Sequence, residues 1–314
     1  DALRALSGFL LSSPLLRSDE YNLDPATATL KDLFNVWDFR DLAKKKLDPV
    51  EQLAADMTPS RVVVYKTTPQ KPLHLHVFEP QGFSKTDKRA AFVTIHGGGW
   101  RGGEPKRMYP FADYFAKLGL VGISVEYRLA AQKPGPGVLT PFDCVQDVKS
   151  AIRFLKTNAA DLGIDADKII VNGGSAGGHL AVATALFDAV NDPADDMAVS
   201  TMPAAMVLLF PVIDTSAEIG YGNALLGDRW REIDPNSHVR AGLPPCLIFH
   251  GTGDTTTPFA GAEKFAAAMK AAGNTCELVV NEGGVHGYLM KDRALLDGTL
   301  SRSAAFLRGL ELVE

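Results

Sequence analysis

The residues best suited to chemistry in this 314-residue chain surround Ser175, in the run Gly173-Gly174-Ser175-Ala176-Gly177. This G-x-S-x-G spacing follows an apolar run at 168–172 and precedes a helix-like stretch that begins at Gly178. A sharp turn from strand to helix presents a serine hydroxyl above the end of a sheet. Glycines flank such a serine because a β-carbon there would collide with the neighbouring strand or helix. The pattern therefore predicts a nucleophile at Ser175.

A nucleophilic serine needs a base to take its proton and a carboxylate to orient that base. Asp254 lies in the loop after the candidate strand 245–250, and His286 lies in a glycine-flanked loop after the last candidate strand, 276–281. Their order along the chain, nucleophile, acid and then base, is the order expected for a serine on a strand-turn-helix elbow. Asp214 also ends a strand and stays open as an alternative acid.

Three consecutive glycines after the third candidate strand predict an oxyanion hole, in the run His96-Gly-Gly-Gly-Trp100. Without β-carbons, the backbone N–H groups of Gly98 and Gly99 can turn toward a substrate oxygen together with that of Ala176. His96 is expected to hold this loop by hydrogen bonding rather than to transfer protons. The other histidines besides His286 are interpreted as structural or surface residues.

Two tryptophans, Trp100 and Trp230, are candidate substrate-binding aromatics. Burial in the core is the alternative for both of them.

Eight apolar, β-branched runs bounded by turn residues predict the strands that position these loops. They are 61–66, 73–78, 91–96, 120–126, 168–172, 205–210, 245–250 and 276–281. From the third run onward they alternate with helical patterns at 109–117, 141–158, 176–190, 259–272 and 295–310. The alternation predicts right-handed crossovers, and the first two strands, with no helix between them, predict an antiparallel edge. The expected fold class is α/β, a mostly parallel eight-stranded sheet flanked by helices.

Two segments do not fit this alternation. Residues 1–58 are expected to form an N-terminal helical extension that either caps the carboxyl end of the sheet or packs on its side, and residues 215–243 are expected to form a small cap insertion. The catalytic domain is then 59–314.

Residues 3–16 resemble the apolar body of an export signal, which favours a periplasmic or secreted location over a cytoplasmic one. An amphipathic helix is the alternative.

The composition excludes several other classes of protein. Lys and Arg number 32 against 37 Asp and Glu, for a net charge of −5, and no long basic run is present, so a nucleic-acid partner is not expected. No run reaches the roughly 18 to 20 apolar residues of a membrane span. Cys144, Cys246 and Cys276 lack C-x-x-C spacing, so neither a disulfide framework nor a zinc site is expected.

Together, four parts of the sequence resemble the hormone-sensitive-lipase-like esterase family of the α/β-hydrolase fold. They are 96–100, Glu126-Tyr127-Arg128-Leu129, the helix 143–155 and 173–179. The resemblance covers about residues 60 to 310, and it implies a Ser-His-Asp carboxylesterase without a metal or an organic cofactor. The Trp after the glycines and the residues at the end of the elbow are similar to those of bacterial esterases that remove acetyl or feruloyl groups from plant polysaccharides.

This chain differs from the usual family pattern at two places. The family often reads DYRLAPE where this chain has residues 126–132 as EYRLAAQ, and it usually has a polar or acidic residue at the position of Gly174. Neither difference touches a candidate catalytic residue.

The sequence therefore predicts a serine carboxylesterase that cleaves short-chain acyl esters, on a small-molecule or carbohydrate substrate. An amidase or peptidase with the same three residues is one alternative, and a non-catalytic binding module on the same scaffold is another. The acyl length, the alcohol and the oligomeric state stay open.

Overall fold

In the computed structural model, which describes residues 47–133 and 135–314, eight strands form one sheet. The strands are β1 (Arg61–Thr67), β2 (Pro72–Phe78), β3 (Arg89–Ile95), β4 (Val121–Val125), β5 (Ile164–Gly174), β6 (Ala205–Leu209), β7 (Cys246–Gly251) and β8 (Cys276–Asn281). Their order is β1-β2-β4-β3-β5-β6-β7-β8. The pairs β1/β2 and β2/β4 are antiparallel, and the remaining pairs are parallel. The predicted mostly parallel sheet with an antiparallel edge is confirmed.

Helices lie between the strands as the alternation predicts. The α-helices, numbered from residue 47, are α1 (Pro49–Ala54), α2 (Tyr109–Lys117), α3 (Pro141–Thr157), α4 (Ala176–Leu186), α5 (Asn223–Leu226), α6 (Phe259–Ala271), α7 (Tyr288–Lys291) and α8 (Arg293–Gly309). Helix α4 ends four residues before the predicted boundary at Val190. There the backbone of Phe187 leaves helical geometry, and its carbonyl accepts a hydrogen bond from the buried ammonium group of Lys149 at 2.5 Å.

Successive residues of the central strands enter two different hydrophobic layers. Phe92 and Ile170 pack in the layer that contains helices α2 and α8, whereas their chain neighbours Val93 and Val171 pack in the layer that contains α3 and α4. A strand buried on both faces has no polar face, which explains why these runs are continuously apolar rather than alternating. Helices on both sides of a parallel sheet thus provide the core.

The order of the strands reverses at β3, because β4 lies on one side of it and β5 on the other. At such a reversal the loops after adjacent strands diverge, and a crevice opens at their carboxyl ends. The glycine run that begins after His96 and the turn at Ser175 follow the two strands that meet here. The fold therefore brings two of the predicted site segments side by side.

Segment 215–243 contains α5 and two short 3₁₀ turns, Gly227–Ile233 and Pro235–Ser237. His179, a buried residue on helix α4 after Ser175, holds this segment, because its Nε2 lies 2.7 Å from the carbonyl oxygen of Ile233. Near its beginning, the backbone N–H of Thr215 donates to the Asp234 carboxylate at 2.9 Å. The segment is thus tied to the elbow helix by a buried hydrogen bond.

Helix α1, which the sequence assigned to the extension, packs with the catalytic domain. Val50 is buried in the same layer as Met108 and Phe111, and Asp48 pairs with Arg107. The predicted export segment 3–16 and the rest of residues 1–46 lie outside the described residues.

Two buried histidines should make the stability of the fold depend on pH. Burial lowers the pKa of His96 and of His179 to about 4, from an ordinary value of 6.5. The unfolded chain binds these protons first, so the stabilisation is full above pH 6.5 and is lost as the pH falls toward 4. Each histidine should reduce the free energy of unfolding by about 2 kcal/mol between pH 7 and pH 5. Urea unfolding at the two pH values measures this.

The variant His179→Gln keeps an N–H donor for Ile233 but removes the titrating group. Its loss of stability between pH 7 and pH 5 should be smaller than that of the wild type. An equal loss would show that His179 is not responsible.

Candidate active site

The turn at Ser175 carries the strained backbone that its flanking glycines predict. Ser175 has φ 55° and ψ −124° between the end of β5 and the first residue of α4. A non-glycine residue in this region costs free energy and persists only where its surroundings enforce it. Here the Ser175 N–H donates to the carbonyl oxygen of Leu209 at 2.9 Å, and the Ser175 carbonyl accepts from the N–H of Val212 at 3.0 Å. The end of β6 thus holds the turn.

Close backbone contacts explain the glycines at 173 and 177. A β-carbon on Gly173 would lie 2.2 Å from the carbonyl oxygen of Gly177, and one on Gly177 would lie 2.2 Å from that of Ile95. Both distances are far below contact distance, and both partners are backbone atoms that cannot move aside. The elbow can pack against β3 only without these side chains.

The structure brings Ser175, His286 and Asp254 into one hydrogen-bonded series. His286 Nε2 lies 2.9 Å from Ser175 Oγ, and His286 Nδ1 lies 2.8 Å from Asp254 Oδ2. The ring of Phe210 packs edge-on against the imidazole, with ring centroids 5.0 Å apart. His286, in the loop after β8, thus reaches past the end of β6 to Ser175, which follows β5.

Phe210 also accounts for the difference from the usual family sequence at Gly174. A β-carbon at that position would lie 3.2 Å from Cζ of the Phe210 ring. A larger side chain would therefore push on the ring that supports His286.

Asp254 is buried and is kept ionised by its partners. Burial by itself raises its pKa, but hydrogen bonds with His250 and His286 and from the Thr257 N–H outweigh burial and lower the pKa well below its ordinary value. The Thr257 N–H donates to Oδ1 at 2.8 Å, and the Thr257 hydroxyl donates to Oδ2 at 2.9 Å. The carboxylate therefore stays charged wherever the protein is folded near neutral pH.

Asp214, the alternative acid, has a different set of contacts. Its Oδ1 accepts a hydrogen bond from the N–H of Ser216 at 2.8 Å, and its Oδ2 lies 3.5 Å from Asn236 Nδ2. The structure thus places Asp254, and not Asp214, against His286.

The glycine loop after β3 adopts backbone angles that side chains disfavour. Gly98, Gly99 and Trp100 have φ values of 113°, 61° and 63° in succession. Gly97 packs against the elbow, since a β-carbon there would lie 3.2 Å from Ser175 Cβ. Within the described part of the chain, the backbone N–H groups of Gly98, Gly99 and Ala176 have no hydrogen-bond acceptor. These donors are free to bind an oxygen near Ser175.

The segment after β4 supports this loop from behind. Tyr127 is buried, stacks on the His96 ring with centroids 4.3 Å apart, and donates its hydroxyl proton to the His96 carbonyl at 2.9 Å. The N–H of Ala130 donates to the Trp100 carbonyl at 2.8 Å. His96 Nδ1 lies 2.8 Å from the Gly97 carbonyl, in line with the expected structural role of this histidine. Both ends of the glycine loop are therefore anchored.

The two tryptophans occupy different environments. The Trp100 side chain has 0% exposure and packs against His179 and Tyr221, with centroids 5.1 Å and 5.5 Å away. A ring without exposed surface cannot contact substrate in this conformation, so the structure argues against the expected role of Trp100 and favours the core alternative. Trp230 is half-buried, with the guanidinium of Arg231 4.3 Å from its ring centroid.

Sequence reasoning missed Thr257, Phe210 and Tyr127. Nothing in the local pattern around Thr257 or Phe210 marks them, because their contacts with Asp254 and His286 join distant loops. Tyr127 lies in the Glu126-Tyr127-Arg128-Leu129 run that carried part of the family resemblance, and this was the available signal.

The described residues include no group of three or more His, Cys, Asp or Glu side chains that could hold a metal ion. No helix among them has the length and apolar character needed to cross a membrane.

Comparison with known proteins places this chain in a family. The sequence matches the family described as BD-FAE over residues 75–217 and the family described as TAP-like protein over residues 228–301. Esterase LipQ of Mycobacterium tuberculosis is 31% identical over 200 residues, which are 58% of this chain and 46% of that protein. The chain spans about half the length of the curated relatives that it matches.

Two solved structures are similar to this chain over a larger part of their own length than the curated relatives are. The propionate-bound structure of the esterase Est2 from Thermogutta terrifontis is 38% identical, with a TM-score of 0.75, covering 82% of this chain and 97% of that one. Thermogutta terrifontis esterase 2 phosphorylated by paraoxon is 39% identical, with a TM-score of 0.74 and coverages of 81% and 95%. The chain belongs to the hormone-sensitive-lipase-like esterase family of the α/β-hydrolase fold.

The elbow packing gives a direct test of stability. Gly177→Ala should lower the free energy of unfolding by about 3 kcal/mol or more, because its β-carbon meets the Ile95 carbonyl oxygen. The matched control is Gly102→Ala, whose β-carbon has no atom nearer than 3.7 Å and should change stability by no more than about 0.5 kcal/mol. Denaturant unfolding compares the two, and equal losses would contradict the packing argument.

Proposed function

We propose that this protein is a carboxylesterase that hydrolyses short-chain acyl esters through an acyl-enzyme. One observation carries the proposal: the Ser175, His286 and Asp254 hydrogen bonds of 2.9 Å and 2.8 Å lie beside a loop of free backbone N–H groups. These are the parts that acyl transfer requires, namely a nucleophile, a base, an orienting carboxylate and donors for the oxyanion. The activity of relatives in the same family supports the same reaction.

In the first half of the proposed reaction, His286 Nε2 takes the hydroxyl proton as Ser175 Oγ bonds to the ester carbonyl carbon. The carbonyl electron pair moves to oxygen, which accepts hydrogen bonds from the N–H groups of Gly98, Gly99 and Ala176. His286 then gives its proton to the departing alcohol oxygen as the carbon–oxygen bond breaks. An acyl-serine remains.

In the second half, His286 removes a proton from water as the water oxygen bonds to the acyl carbon. The bond between that carbon and Ser175 Oγ then breaks, His286 returns the proton to Oγ, and the carboxylic acid leaves. Asp254 keeps the proton of the resting imidazole on Nδ1 and stabilises the imidazolium that forms twice in each cycle. The lowered pKa of Asp254 suits this role, since the carboxylate must stay negative beside a cation.

The acyl group in this proposal is short. The propionate bound to Thermogutta terrifontis Est2, at 38% identity, supports this size class. Acetyl groups on polysaccharides fall in the same class. Feruloyl groups are larger, and they are proposed as an additional substrate because the Trp100 and His179 motifs resemble those of esterases that act on plant polysaccharides.

Ser175→Ala should remove nearly all ester hydrolysis, by roughly 10⁶-fold in kcat, because no other group can carry the acyl intermediate. The measurement is the initial rate on nitrophenyl esters from acetate to decanoate, with acetylated xylan, methyl ferulate and an aryl amide beside them. The wild type should prefer the short esters. Mass spectrometry after paraoxon treatment should find the phosphoryl group on Ser175.

The control for this experiment is Ser301→Ala, an exposed serine on α8, which should keep wild-type rates and paraoxon labelling. Appreciable turnover by the Ser175→Ala protein would contradict the assignment. Turnover of the amide without any ester hydrolysis would favour an amidase or peptidase, and absence of labelling would favour a binding module.

Substitution of the two aspartates separates the candidate acids. Asp254→Asn should lower kcat about 10⁴-fold, because an amide beside Nδ1 favours the wrong imidazole tautomer. Asp214→Asn keeps an acceptor oxygen for the Ser216 N–H and should stay within about tenfold of wild type. The reverse pattern would move the acid to Asp214.

A further inference from the structure

Tyr221, in segment 215–243, points its hydroxyl at the glycine loop after β3. A β-carbon placed on Gly99 would lie 2.5 Å from Tyr221 Oη, 3.6 Å from Cζ and 3.9 Å from Cε1. Because the oxygen is the nearest of these atoms, the hydroxyl end of the side chain approaches the Gly99 backbone first. The side chain is half-buried, so part of it remains accessible to solvent.

The remainder of Tyr221 is held in place. Its N–H donates to the Asp214 carbonyl at 2.9 Å, and its ring packs against Trp100 with centroids 5.5 Å apart. The next residue, Gly222, has φ 76° and packs so closely that a β-carbon would lie 2.4 Å from the Trp100 ring. The position of the hydroxyl is therefore set by the buried Trp100.

The hydroxyl itself is uncommitted. Among the described residues it has no hydrogen-bond partner, and neither have the N–H groups of Gly98 and Gly99 beside it. A phenol hydroxyl can donate one hydrogen bond. Gly97, in the same loop, packs on Ser175 Cβ, so the loop that Tyr221 approaches borders the candidate nucleophile.

We propose that Tyr221 Oη donates a hydrogen bond to the carbonyl oxygen of the bound ester as that oxygen becomes an anion. This inference rests on the proposed esterase function. The Ser175 Oγ–carbon bond forms, the carbonyl electron pair moves to oxygen, and the serine proton goes to His286. Tyr221 keeps its proton throughout and stabilises the oxyanion together with the backbone donors. Segment 215–243 thereby supplies a catalytic residue.

The other role open to a tyrosine here is that of a wall that limits acyl length. The two roles differ in what they predict. A donor to the carbonyl oxygen acts on the group that all substrates share, so its removal lowers kcat by one factor for every acyl chain. A wall acts on the variable part of the substrate, so its removal changes rates according to chain length.

The test is Tyr221→Phe, assayed on nitrophenyl acetate, propionate and butyrate. Removal of one oxyanion donor should lower kcat about 10- to 100-fold, by the same factor for all three esters, with KM unchanged to within about threefold. The inhibition constant of a short trifluoromethyl ketone, which forms a tetrahedral oxyanion adduct with serine, should rise as kcat/KM falls. Tyr114→Phe, a half-buried tyrosine on α2, is the control and should match wild type.

Wild-type kcat in Tyr221→Phe, a loss that varies with acyl length, or a change confined to KM would each overturn the inference while leaving the esterase proposal intact. Ester hydrolysis that survives Ser175→Ala, or a wild-type protein that hydrolyses no ester, would instead overturn the proposed function and this inference with it.

Discussion

The close approach of three backbone segments at the elbow is the constraint on which the rest of this structure depends. Within the turn, the Gly177 carbonyl packs against Gly173 at the end of β5, and Gly177 packs against the Ile95 carbonyl of β3. Neither glycine has room for a β-carbon. This packing, together with the backbone hydrogen bonds of Ser175 to Leu209 and Val212, holds Ser175 at a positive φ angle. Ser175 is half-buried, whereas its neighbours on both sides in the chain are buried.

The same contact sets the position of the glycine loop. β3 and β5 are neighbours at the point where the strand order reverses. The loop after Ile95 therefore begins next to the elbow that follows β5. Tyr127 and Ala130 then hold the two ends of this loop, through the carbonyls of His96 and Trp100. A rigid support of this kind suits the proposed oxyanion role of the loop N–H groups, because preorganised donors need no rearrangement during a reaction.

The charged carboxylate of Asp254, on the other side of the site, is also held by direct contacts. Asp254 is buried but ionised, because Thr257 and two histidines supply hydrogen bonds that outweigh its loss of solvent. Phe210 packs on the imidazole of His286 from the end of β6, the strand that also holds the Ser175 backbone. Polar groups orient the His286 imidazole, and apolar contact limits its movement.

The sequence by itself determined the sheet and the loops that carry the candidate site. Strands buried on both faces must be continuously apolar, and turns without room for a β-carbon must contain glycine, so both leave a local signal that was read at Gly173, Gly177 and Gly97 to Gly99. The order of Ser175, Asp254 and His286 after successive strands could also be read.

Only the tertiary structure decided which groups touch. It distinguished Asp254 from Asp214, both of which follow strands, because only the packing of β7 beside β8 brings one of them to His286. It also enclosed Trp100 and brought Thr257, Phe210 and Tyr221 to the site. These contacts join residues far apart in the chain, and no local pattern records them, since each depends on the distance between two folded loops.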